Sequence, residues 1–128
     1  MKGLAEMPYK SLQITQSKSV VRVTFNRPKV LNALNEEMIA ETTDIFQSLS
    51  KDISVRVVVL EGNGKAFSAG ADLAYMKMAG KSNLAQNVKQ GNNLAKMYQA
   101  IDNCTKPVIV KAHGYAIGGG FGFLTLAD

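Results

Sequence analysis

The stretch 55-VRVVVLEGNGKAFSAGADL-73 runs from a short apolar pattern into a loop of glycine and small residues. Val55–Leu60 is nearly all apolar apart from Arg56 and rich in β-branched side chains, as a buried strand should be. In 66-AFSAGADL-73 the small side chains let the backbone approach a ligand closely, and Gly70 permits dihedrals that other residues resist. Asp72 can cap a short helix beginning near Leu73, which would leave the N–H groups around Ala71 and Asp72 directed outward. The same residues also suit a tight strand-to-helix turn with no ligand.

A second stretch repeats the theme. Pro107 opens another buried strand, 107-PVIVKA-112, which leads through 113-HGYAIGGG-120 into a final helix. Were that helix to begin among the glycines, Gly119 and Gly120 would offer unpaired N–H groups near its positive dipole end. Close helix–sheet packing is the alternative use of the glycines. Two N–H groups from separate loops, converging on one oxygen, form an oxyanion hole that stabilises charge developing on a carbonyl.

Around these two units the pattern is regular. Residues 9-YKSLQIT-15 and 20-VVRVTF-25 read as a hairpin about the turn 17-SKS-19, followed by the loop 26-NRPKVLNALN-35. Asn35 can cap a helix with Glu36 and Glu37 in its first turn, and Met38, Thr42, Ile45, Phe46 and Leu49 share its inner face. A second long helix fits 83–102, with Leu84, Val88, Gly91, Ala95, Tyr98 and Ile101 on one face. Strands alternating with helices after a hairpin define an α/β domain with some parallel pairing. Both small-residue loops would then lie at one edge of the sheet, where such proteins place ligands.

Composition excludes several classes. With 128 residues, 46% of them hydrophobic and 20% charged, the chain suits one modest globular domain. No apolar run approaches the ~20 residues of a membrane span, and MKGLAEMPYK has no apolar leader segment. The net charge of +5 is scattered, so nucleic acid is not an expected partner. Cys104 stands alone and reads as a buried structural thiol, and a cytoplasmic location fits. His113 is the only histidine; no metal site is expected, and a buried, hydrogen-bonded role at a strand end suits it. The segment 62-GNGKA-66 lacks Walker A spacing, and Phe123 occupies the third glycine position of a dinucleotide loop counted from Gly118. Ser68 lacks the context of a triad nucleophile with His113 and Asp72.

The segments 25-FNRPKVLNALN-35, 57-VVVLEGNGKAFSAGADL-73 and 107-PVIVKAHGYAIGGG-120, in this order, resemble the enoyl-CoA hydratase/isomerase (crotonase) superfamily. The resemblance implies a spiral of β-β-α units, incomplete at the C-terminus, with residues 1–128 the N-terminal part of a single domain. It implies binding of an acyl-CoA thioester, stabilisation of its enolate, and assembly as a homotrimer or hexamer. CoA would be part of the substrate, and no separate cofactor is implied.

Residue by residue, the resemblance puts the oxyanion N–H groups on Ala71 and Gly119. It makes Ala69, Gly70, Ala71, Asp72 and Leu73 a lining for CoA and thioester, sets Lys29, Val30 and Leu31 against the nucleotide and pantetheine, and makes Arg27 and Lys29 phosphate candidates. Hydratases of this family commonly carry a glutamate three residues after the second oxyanion glycine; here that position is Gly122, which cannot transfer a proton. Their second glutamate would fall beyond Asp128. The final apolar pattern carries no stop signal, so the chain reads as the front of a longer domain and as inactive by itself. A non-catalytic or truncated acyl-CoA-binding chain is the alternative reading.

Overall fold

The computed structural model describes residues 9–128. The leader reading of residues 1–10 lies largely outside that range. The described residues form a four-stranded sheet in the order β1 (Leu12–Ser17), β2 (Val20–Phe25), β3 (Val57–Gly62), β4 (Val108–Val110). β1 and β2 pair antiparallel across the turn at Lys18, which takes a left-handed φ of 55°. β2–β3 and β3–β4 pair in parallel, so both small-residue loops leave the same edge of the sheet.

Helix α1 (Glu36–Lys51) begins at Asn35, whose side chain accepts from Met38 N–H, and buries Met38, Thr42, Ile45, Phe46 and Leu49 as its periodicity predicts. Helices α2 (Leu73–Lys81) and α3 (Leu84–Asp102) follow β3. Asn83 and Gln86 close a reciprocal cap at the start of α3. Phe25, Phe67 and Phe123 meet at the core's centre, with ring centroids 5.0–6.0 Å apart, and Tyr98 joins them 5.5 Å from Phe123.

Several expectations change. β1 starts at Leu12 rather than at Tyr9, and β3 is shifted two residues towards the loop. The inner face of α3 is confined to its second half, where Met97 and Ile101 are buried and Leu94 and Tyr98 pack on the core. Leu84 and Val88 are exposed. The final helix is cut to α4 (Gly119–Gly122) and a 3-10 turn, Phe123–Leu126, since glycines propagate a helix poorly and Phe123 must enter the aromatic cluster. Cys104 is only partly covered, packed at the core's margin. His113 is exposed rather than buried, although its Nε2 lies 2.7 Å from Gly64 O.

Candidate functional site

The loops after β3 and β4 run side by side. Phe67 and Ser68 donate to His113 O and Tyr115 O, and Ile117 N–H returns to Ser68 O at 3.1 Å. The loop after β2 closes over them. Leu34 N–H donates to Gly70 O at 2.7 Å, and Asp72 N–H donates to Leu34 O at 2.8 Å. Leu34 and Ala71 thereby form a parallel bridge. In such a bridge the intervening residue's own N–H turns away from the partner strand. Ala71 N–H accordingly makes no hydrogen bond among the described residues, while Gly70 and Asp72 on either side are both satisfied.

Gly119 N–H is likewise unpaired at the first position of α4. Its direction is set by Gly118 before it, at φ 55° and ψ −122°, a conformation that side chains resist. The two loops touch at Gly70. A Cβ added there would lie 2.7 Å from Ile117 O and 3.4 Å from Gly119 N, and Gly70 itself has φ +90°. Only glycine at this position lets the backbone of one loop lie directly on the other. The two free donors therefore flank Gly70.

An open cleft of about 600 Å³ lies beside this junction. Seven of the residues singled out in the sequence line it: Lys29, Val30, Leu31, Ala69, Ala71, Asp72 and Leu73. Met76, exposed on α2, completes one wall. Gly70, Gly119 and Gly122 sit outside its lining. Lys29 is exposed at the lip.

Arg27 is drawn inward instead. Its guanidinium donates to Ala33 O and to Asp72 Oδ2, the latter at 3.2 Å. Asp72 also accepts from Tyr75 N–H as the cap of α2. Burial works to raise the Asp72 pKa, but the hydrogen bonds from Tyr75, Arg27 and Ala74 and the guanidinium charge outweigh it and hold the carboxyl below its ordinary value. Asp72 is thus a structural anion, with Oδ1 engaged by Tyr75 N–H and Oδ2 by Arg27. Ser68 Oγ is buried on Asn32 O, and His113 turns to Gly64, so these residues and Asp72 form no triad.

Two residues central to the site escaped the sequence reading. Asn32 is fully buried at φ 54°; its amide donates to Asn63 O and Ala66 O while its Oδ1 accepts Arg27 N–H, locking the first loop to the second. An asparagine within a loop is a favourable left-handed residue, but nothing local identifies its distant partners. Tyr98 was read only as part of a helix face. Its hydroxyl donates to Gly119 O at 2.8 Å, and burial raises its pKa, so it is a protonated donor at neutral pH.

This arrangement of a mixed four-stranded sheet and two crossed glycine loops points to the class of protein. A family model described as enoyl-CoA hydratase/isomerase matches residues 15–128, and the chain belongs to that family. The mitochondrial Delta(3,5)-Delta(2,4)-dienoyl-CoA isomerase of Homo sapiens is 36% identical across 98% of this chain and 42% of its own length. Crotonyl-CoA hydratase of Syntrophomonas wolfei is 30% identical across 89% of this chain and 43% of its own. The crystal structure of an enoyl-CoA hydratase from Shewanella pealeana superposes with a TM-score of 0.93 at 30% identity, covering 98% of this chain and 47% of that one. The fold is therefore crotonase-like, and the chain spans less than half the length of these relatives.

No helix among the described residues is long and apolar enough to cross a membrane.

Proposed function

We propose that this chain contributes the thioester-polarising part of an acyl-CoA hydratase or isomerase. The observation that supports the reading best is the pair of unpaired N–H groups, Ala71 and Gly119, flanking the glycine contact between the loops. A thioester oxygen receiving both donors would carry enolate charge at little reorganisation cost, because backbone dipoles are already oriented and do not titrate. The cleft along Lys29, Val30, Leu31, Ala69 and Leu73 would take the pantetheine, with Lys29 at its lip near the CoA phosphates. Arg27 and Asp72 would serve by holding the loops and the start of α2, and Gly70 by letting them meet.

On this proposal residues 1–128 are the N-terminal part of a single domain, the assembly is a homotrimer or hexamer, the location is cytoplasmic, and CoA enters only as part of the substrate. The reaction is hydration or isomerisation of an enoyl-CoA. Gly122, standing where hydratases of this kind carry a glutamate, supports the second reading, a chain that binds acyl-CoA without turning it over.

The test is vibrational. A 2-enoyl-CoA bound to the protein should show its thioester C=O stretch moved to lower frequency relative to free substrate. Turnover with this shift supports the enzyme, the shift without turnover supports the binding chain, and binding with no shift refutes the polarising site.

A further inference from the structure

Gly122 is small in a place where space is already taken. A Cβ built there would meet the Tyr98 hydroxyl at 3.0 Å and the ring atoms Cε1 and Cζ at 3.2 Å. The phenol thus stands where a side chain at 122 would begin. It does not stand there idly, for its hydroxyl donates to Gly119 O and lies 3.1 Å from where a Gly119 Cβ would be. Its ring is clamped from the other side by Phe123, 5.5 Å away, and Phe123 is fully buried between Phe25 and Phe67. The phenol is therefore fixed to the buried aromatic cluster.

The residue it holds is the least rigid by composition. Gly118, Gly119 and Gly120 are consecutive, and glycine loses more conformational freedom on ordering than any other residue. α4 is a single turn of four residues, too short to order itself. Gly120 is kept by packing, since a Cβ there would fall 2.3 Å from Ser68 O. Around Gly119 the near neighbours are side chains, Leu34 Cδ1 and the Tyr98 hydroxyl, each 3.1 Å from a built Cβ, and its carbonyl is tied by Tyr98.

We propose that Tyr98 is a positioning residue for the Gly119 N–H donor, and that Gly122 is the partner residue whose missing side chain admits it. The proposal rests on the thioester reading given above. It assigns a role to the departure at position 122: the space a carboxylate side chain would need is given to a neutral hydroxyl that orients the polarising donor. Proton transfer must then come from a group elsewhere in the protein. A carboxylate introduced at 122 would displace the phenol before it could act.

The experiment compares wild type, Tyr98→Phe and Gly122→Ala in the full-length protein, each checked for a native circular dichroism spectrum, with a bound 2-enoyl-CoA as probe. Tyr98→Phe keeps the ring on Phe123 and deletes one hydrogen bond. We expect kcat to fall about tenfold with KM within about twofold, and the C=O shift of the bound thioester to shrink. Gly122→Ala should reproduce both effects by pushing the phenol aside. The NMR order parameter of the Gly119 N–H, measured without ligand, should fall in both variants. A Tyr98→Phe protein with unchanged carbonyl shift and unchanged Gly119 order parameter overturns the proposal while leaving the thioester site intact. Wild-type protein that binds with no carbonyl shift overturns the parent reading and this one with it.

Discussion

Removing the carboxylate of Asp72 should loosen two loops at once. Its Oδ1 caps α2 through Tyr75 N–H at 3.1 Å, and its Oδ2 receives Arg27 at 3.2 Å. The side chains of Arg27 and Asp72 are 21% and 12% exposed, so water screens the pair only in part. Losing the cap costs about 1 kcal/mol. Losing a hydrogen bond between charged groups costs about 1.5–3 kcal/mol, and the single 3.2 Å contact argues for the lower end. Asp72→Ala should therefore destabilise by about 2–3 kcal/mol. Asp72→Asn keeps an acceptor for Tyr75 and should lose about half of that. In a double-mutant cycle with Arg27→Ala, the coupling should be about 1–2 kcal/mol, above that of exposed pairs and below that of fully buried ones. Urea unfolding followed by circular dichroism measures each term. Single effects that add to within about 0.3 kcal/mol would show that the pair does not couple the loops, and the account of Arg27 as a structural cation would fail.

Three further outcomes follow from the same geometry. Gly70→Ala places a methyl 2.7 Å from Ile117 O at φ +90°, so the loops must part; stability should fall by about 1–3 kcal/mol, with a loss of thioester polarisation larger than the loss of CoA binding. Phe123→Ala empties the aromatic cluster and should cost about 3–5 kcal/mol by denaturant unfolding. Because the folded Asp72 pKa is lowered, its contribution to stability is present above the unfolded value of about 3.9 and is lost as pH falls through the folded value. Asp72→Asn should therefore flatten the stability–pH curve below about pH 4, and an unchanged acid limb would contradict the assignment.

Much of the fold is written locally. The inner face of α1, its Asn35 cap, the hairpin and the two strand-to-loop passages follow from periodicity, β-branched runs and capping side chains, which act over a few residues. Local reading narrowed the loop amides to those around Ala71 and Asp72 and to Gly119 and Gly120, since small residues after a buried strand carry a local signature; the choice of Ala71 and Gly119 came from the family resemblance. What periodicity could not decide was which part of a helical stripe would find a partner. Leu84, Val88 and Tyr98 share one stripe on α3, yet the first two are exposed and only Tyr98 reaches the core. Nor could charge alone separate Arg27 from Lys29. Both sit in one basic loop, and the left-handed turn through Leu31 and Asn32 sends Arg27 to Asp72 and leaves Lys29 at the cleft. By itself, then, the sequence determined the elements, the loop chemistry and the absence of a carboxylate at 122. Only the tertiary structure decided what fills that space, because the contact of Tyr98 with Gly119 and Gly122 joins residues more than twenty positions apart and depends on where the aromatic core anchors the ring.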